Sequence, residues 1–237
     1  MTRIYKILFI AILVSDISFS QNDIKKLPTG FSSISGDNKI HFSLDDYELK
    51  DVNINGQIFK KPVVPLAGLK SEEGEPTLPT ITTFYQVAPN KSYSINVNII
   101  SSEWIDNVDI LPHQSWSHQS DEINTPFKRK VELYTSDTKY PEYQGEVSST
   151  FVFRDLPVVE ASITPFNYYP LSRRLEVITS ADIELIEIDD IEPIQTPNRI
   201  SRVFEPLYEA LVVNYNRSTD NDNYQKPSIL YILPSNS

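Results

Sequence analysis

The sequence predicts an all-β fold, an antiparallel β-sandwich, and three observations predict it. After residue 30 apolar and polar residues alternate in many short runs, the prolines fall mostly between those runs, and no long stretch repeats an apolar residue every 3.6 positions. Alternation puts side chains of one parity on one face of a strand, and proline, with no N–H to give a ladder, belongs between strands. With 40% hydrophobic and 11% aromatic residues the chain has the material for a packed core despite its charge.

The elements follow in order. Residues 1–20 are set apart from the fold: Arg3 and Lys6 precede an apolar run from Ile7 to Val14, and Ser18 and Ser20 supply small residues, the pattern of a secretory signal peptide cut between Ser20 and Gln21. That run is far shorter than the roughly 20 apolar residues needed to cross a bilayer, so no stable membrane span is expected. Residues 21–213 are expected to form the sandwich. Its first clear strand is Lys39 to Leu44, with Ile40, Phe42 and Leu44 on one face and His41 pointing outward. Tyr47, Leu49, Val52 and Ile54 lead to Asn55-Gly56, and Ile58 and Phe59 resume the pattern, which reads as a hairpin. Further strands are expected at Thr80 to Val87, Tyr93 to Ile99, Val131 to Tyr134, Thr150 to Phe153, Val158 to Ile163, Leu175 to Thr179 and Ile183 to Ile188. A helical turn or two is expected only around Phe204 to Leu211, with Phe204, Tyr208 and Leu211 on one side.

Residues 214–227 are polar, carrying Asp220, Asn221, Asp222 and Asn223, and read as a linker. Residues 228–237 then hold the continuous apolar run Ile229 to Leu233, which suits a strand buried on both faces, as at the start of an α/β domain truncated here. The alternative is a last strand added to the edge of the sandwich.

The chemistry is bounded mainly by what the composition excludes. Without cysteine there is no disulfide, no thiolate nucleophile and no cysteine-bound metal. A net charge of −11 argues against nucleic acid as a partner, because phosphate binding needs cations. Asp51, Asn53, Asn55 and Gly56 match the opening of a calcium loop, but the twelfth position is Pro62 where a bidentate Glu is required, and the hairpin explains these residues better. His113 and His118 lack an evident third ligand and read as surface loop residues, so no metal or cofactor is expected. The one basic cluster is Lys128-Arg129-Lys130. In an acidic protein it either offers a cation to an acidic pocket or serves solubility at the start of a strand. Arg173-Arg174 reads as the decoration of a hairpin turn.

Several segments taken in order resemble the propeptide of the gingipain-type cysteine peptidases. They are Gly74-Glu75-Pro76-Thr77-Leu78-Pro79, Phe151-Val152-Phe153-Arg154-Asp155-Leu156, the stretch from Ala161 through Pro165, Asn167, Tyr168 and Pro170 to Leu175, Glu176, Val177 and Thr179, then Phe204-Glu205-Pro206-Leu207-Tyr208-Glu209 and Val213-Asn214-Tyr215. Each is weak alone; their order over residues 31–216 carries the resemblance. It implies a β-sandwich that precedes an α/β peptidase domain, helps it fold and covers its active site until removed. The family's catalytic His and Cys have no counterpart here, so this chain is expected to be no enzyme itself, but the front of a truncated or split precursor. Its implied partner is a cognate gingipain-like cysteine peptidase domain, in cis or in trans, and its implied location is secreted or at the cell surface. In the arginine-specific members an Arg of a loop enters the specificity pocket; the corresponding stretch, Pro112 to Asn124, has His113 and His118 but no Arg. Lys128, Arg129 and Lys130 stand in as the inhibitory-loop candidates, and Arg217 as the processing site. The rival readings are the N-terminal part of an active secreted cysteine peptidase, a stand-alone inhibitor, and a surface module binding glycans or proteins, which an exposed Trp104 or Trp116 would favour.

Overall fold

Among the described residues two five-stranded antiparallel sheets face each other, accompanied by a separate hairpin and two short helices. The computed structural model describes residues 30–34, 39–114, 126–216 and 224–226. The expected signal peptide and the run Ile229 to Leu233 lie outside them.

The first sheet is built on β12 (Arg174–Asp190), the longest strand. One edge of β12 pairs with β7 (Lys91–Ile105), and the other with β11 (Phe166–Tyr169) and then β2 (Lys39–Ser43), outside which lies β1 (Phe31–Ser33). The second sheet is built on β10 (Leu156–Ile163), which pairs with β6 (Pro79–Gln86) on one edge and with β8 (Gly145–Val147) and β9 (Phe151–Phe153) on the other; β5 (Gly68–Leu69) extends β6. Ile40 and Phe42 are fully buried and alternate with half-buried neighbours, so the parity read from the sequence is the parity of the fold. His41 faces the other way and meets Asp182 of β12 at 2.8 Å.

Three clusters make the core. Between the sheets, Phe42, Ile81, Tyr85, Val159, Ala161, Ile163, Ile178 and Ile183 pack together. At one end, Phe166, Tyr168, Leu175 and Val177 meet Leu78, Val108, Ile110 and Tyr134. On the outer face of the second sheet, Leu156 and Val158 are covered by Tyr208 and Val212. Strand β10 is therefore apolar on both faces, which its sequence shows as the adjacent pair Val158-Val159, both at zero exposure.

The hairpin is β3 (Glu48–Ile54) and β4 (Gln57–Val63). Its turn residues Asn55 and Gly56 have φ of 52° and 86°, the pair of positive values that a two-residue turn between twisted strands demands. The Asn53 carboxamide accepts the Gly56 amide at 2.9 Å, so the residues that resembled a calcium loop are spent on the turn.

Two expectations are corrected. Val131–Tyr134 is not a strand but a single helical turn, α1, in which Thr135 N–H reaches the Val131 carbonyl at 3.0 Å. Four residues cannot separate a period of 2 from one of 3.6, and Val131 is 63% exposed while Tyr134 is buried, so no alternating face exists. The runs Leu175 to Thr179 and Ile183 to Ile188 are one strand, because the register shifts between Ile178 and Ala181 absorb the break in alternation without ending the ladder.

The expected helical stretch is present as a 3-10 turn at Arg202–Phe204 followed by α2 (Glu205–Leu211), which has Pro206 in its first turn. After α2, Val213 N–H reaches the Phe84 carbonyl at 2.9 Å, and the Asn214 carboxamide both accepts from and donates to Gln86, so the chain runs beside β6. No helix among the described residues is long and apolar enough to cross a membrane.

Candidate functional site: a clamp on the Glu72–Pro76 turn

The site begins with a tight turn, Glu72-Glu73-Gly74-Glu75, closed by Glu75 N–H to the Glu72 carbonyl at 3.1 Å. Gly74 sits at φ +85°, and a Cβ there would stand 3.0 Å from the Lys130 amide nitrogen, so only glycine fits the conformation and the space. The backbone of this turn receives two arms of the chain. Gly74 N–H donates to the His113 carbonyl at 2.7 Å and His113 N–H to the Glu75 carbonyl at 2.7 Å; from the other arm, Lys130 N–H donates to the Gly74 carbonyl at 2.9 Å.

Gln114 locks the arms to each other. Its carboxamide accepts from Lys128 N–H at 2.9 Å and donates to the Lys128 carbonyl at 2.8 Å, a side chain doing what a paired strand residue would do. Gln114 and Lys128 are thus joined into one base.

The three candidate cations line the returning arm, and each meets an acid of this chain. Lys128 lies 2.6 Å from Glu73. Lys130 reaches Glu72 at 2.8 Å and Glu75 at 2.9 Å. Arg129 lies 3.6 Å from Asp109 and stacks 3.8 Å over the Tyr134 ring, which fixes α1 against the same base. Tyr140 donates to the second Glu75 oxygen at 2.9 Å. Burial pushes the Glu75 carboxyl up, but the hydrogen bonds from Lys130, from the Glu72 amide and from Tyr140 outweigh it and hold the group below the ordinary carboxyl value. The bonds to Glu72 and Glu75 push the Lys130 ammonium up. Burial, with the Glu75 carboxylate beside it, pushes Tyr140 up to about 12.

The structure therefore brings Lys128, Arg129 and Lys130 together with an acidic turn 55 residues upstream in the case of Lys128 and Glu73. The sequence reading found the cations and missed the acids, Gln114 and Tyr140. The matching signal is three acids in the four residues Glu72-Glu73-Gly74-Glu75, but nothing in the sequence pairs them with residues 128–130. Ser20, Gln21, Arg217, Trp116 and His118 lie outside the described residues. Trp104 is 45% exposed, with Tyr169 beside it and the Arg174 guanidinium 4.3 Å over its ring, so a cation of this chain covers one face of the indole. Among the described residues no group of three or more His, Asp or Glu is arranged to hold a metal.

The Propeptide_C25 family model matches residues 20–220. Gingipain R2 of Porphyromonas gingivalis is 24% identical over 232 residues, which cover 90% of this chain and 30% of that protein. Gingipain R1 of the same organism is 21% identical over 184 residues, 75% of this chain and 18% of its own length. The chain thus spans about a third or less of the relatives it matches. Among solved structures, the complex of Porphyromonas gingivalis RgpB pro- and mature domains contains a chain that aligns with a TM-score of 0.64 at 21% identity, covering 79% of this chain and 98% of that one. A structure on the zymogenic latency of gingipain K, also from Porphyromonas gingivalis, aligns with a TM-score of 0.54 at 20% identity, covering 67% and 91%. At these identities the structural likeness is one of fold.

Proposed function

We propose that this chain, which belongs to the Propeptide_C25 family, is a secreted propeptide that folds with a gingipain-like cysteine peptidase domain and occludes its active site, as inhibitor and folding assistant. The partner domain is joined in cis on a longer precursor or bound in trans. The chain holds no cysteine, so the thiol chemistry belongs to the partner. Export follows from the leader cut between Ser20 and Gln21.

The observation that supports occlusion most directly is the clamp. A segment that must sit in an enzyme's cleft binds more tightly when its ends are held beforehand, because less freedom is lost on docking. Here both ends are held on one glycine turn and joined by Gln114. Among the candidate cations the partners set a ranking. Lys130 has two carboxylates, and Arg129 has a stacked ring and a carboxylate, so either would have to dismantle the clamp to leave it. Lys128 is half exposed and, among the described residues, pairs with Glu73, and an exposed pair of this kind is worth about 0–1 kcal/mol. Lys128 is thus the cation most free to exchange Glu73 for an acidic specificity pocket.

The test is inhibition of a gingipain-like peptidase by the purified chain. Stoichiometric inhibition is expected, and an enzyme left fully active in excess chain would overturn the reading. The Lys128→Ala variant is expected to inhibit about 30-fold less well, the loss that removing an interface anchor of about 2 kcal/mol produces. An unchanged inhibition constant moves the contact elsewhere. Arg217 is the proposed processing site, in a polar segment suited to proteolysis; in the full precursor Arg217→Ala should stop maturation, and ordinary trimming of that variant would dismiss the assignment.

A further inference from the structure

Beyond α2, Tyr224 is again packed on the body of the protein. Tyr224 is 5% exposed and pairs as a parallel bridge with Ile200, and the following Gln225 donates its N–H to the Ile200 carbonyl at 3.0 Å and its carboxamide to the Arg199 carbonyl at 3.2 Å. The Tyr224 ring lies 4.4 Å under the Arg202 guanidinium, and its hydroxyl donates to the Glu205 carboxylate. Glu205 is itself 2% exposed, so that carboxylate is a buried charge which needs donors to remain there. The Tyr215 hydroxyl is also buried, with no hydrogen-bond partner among the described residues, and burial together with the Glu205 charge pushes it up. Tyr208 completes the site, its ring 5.3 Å from that of Tyr215.

We infer that Arg199, Ile200, Arg202 and Glu205, backed by Tyr208 and Tyr215, form a receptor for an extended segment bearing a tyrosine, and that its occupant is the chain's own Tyr224-Gln225-Lys226. Three recognitions coincide there. Backbone pairing with Ile200 takes an extended strand, the Arg202 face takes an aromatic ring, and the Glu205 oxygen takes a hydroxyl at the ring's end. Each of these contacts joins residues 199–205 to residues 224–225. The backbone bridge to Ile200, the ring under Arg202 and the bond to Glu205 are expected to hold Tyr224 in place once the chain between residues 216 and 224 is severed. On the propeptide reading, a cut at Arg217 would leave the downstream chain tethered to the propeptide by this anchor, so proteolysis and separation would be two steps.

The experiment uses the 237-residue chain with a recognition sequence for a site-specific protease substituted for residues 217–223. After cutting, the fragment that begins at Tyr224 should co-elute with the body in gel filtration at micromolar concentration. In a Tyr224→Ala version it should dissociate at least about tenfold faster, and in a Tyr224→Phe version, which keeps the ring over Arg202 and loses only the bond to Glu205, by an intermediate factor. Immediate loss of the unaltered fragment, or equal retention of the alanine fragment with an unchanged melting temperature of the body, overturns the anchor. Because retention is read without a peptidase, a chain that retains the fragment yet fails to inhibit overturns the propeptide reading and leaves the anchor standing.

Discussion

Gly74 shows how one residue can decide a site. Its φ of +85° is open to glycine alone at low cost, and the Lys130 amide nitrogen already occupies the edge of the space a Cβ would need. Gly56 has nearly the same φ, +86°, but nothing within 4 Å of its Cβ position. The two glycines separate backbone strain from crowding. Gly56→Ala should cost about 1–2 kcal/mol, from the left-handed backbone alone. Gly74→Ala should cost more, about 2–4 kcal/mol, because the Lys130 arm must also move and its bond to the Gly74 carbonyl is stretched. Urea unfolding of the two variants against the parent chain measures both. Equal losses would mean that the arm is not held on the turn. Gly74→Ala should also weaken inhibition more than Gly56→Ala does, since the two arms are held on Gly74 itself, whereas the hairpin meets the clamp only at its side, through Gln57 and Phe59.

At the scale of elements, α2 is what gives the second sheet a buried outer face. Tyr208 has zero exposure, packs with Phe153 and Phe204, and its hydroxyl accepts the Asp155 amide at 3.2 Å, while Asp155 accepts Ser201 N–H at 2.7 Å. Tyr208→Ala should therefore destabilise by about 3–5 kcal/mol, as truncation of a buried aromatic does, whereas Tyr208→Phe should lose only about 1 kcal/mol for the hydroxyl. Thermal or urea unfolding tests this, and a small loss for the alanine variant would show that α2 is not integral to the core. What the sequence disclosed at this scale depended on how many faces an element buries. Strand β2, buried on one face, was legible through Ile40 and Phe42, and α2 through the spacing of Phe204 and Tyr208. Strand β11 was not, because Phe166, Asn167 and Tyr168 are all buried and leave no alternation to read. The ends of β7 escaped for the opposite reason: past Val97 nearly every residue is exposed, and the strand persists because β12 supplies its ladder. The site was half legible. A run of three cations stands out in an acidic chain, but the turn that receives them is brought there by pairings of the chain from Lys60 to His113, which no local pattern encodes.

For the whole molecule, stability rests on packing without any disulfide, and tyrosines carry much of that packing. Their hydroxyls make the fold sensitive to alkali in a definite direction. Burial, with a hydrogen bond to Glu103, pushes Tyr47 up to about 12; burial pushes Tyr140 and Tyr168 to about 12 as well, and pushes Tyr134 and Tyr215 further still. In the unfolded chain the same groups ionise near 10. A folded value above the unfolded one means that the native state keeps protons the unfolded state gives up, so the contribution is complete below pH 10 and is lost as the pH rises towards 12. Since these side chains sit in the end cluster, in the clamp and behind the receptor for Tyr224, ionising them opens the protein at several places within the same range. The melting temperature should stay level from neutral pH to about 10 and then fall steeply, and the tyrosinate absorbance of the buried set should rise only with the loss of structure. Tyrosinate absorbance that reached its full value near pH 10, with the fold intact, would contradict the burial on which both the clamp and the anchor depend.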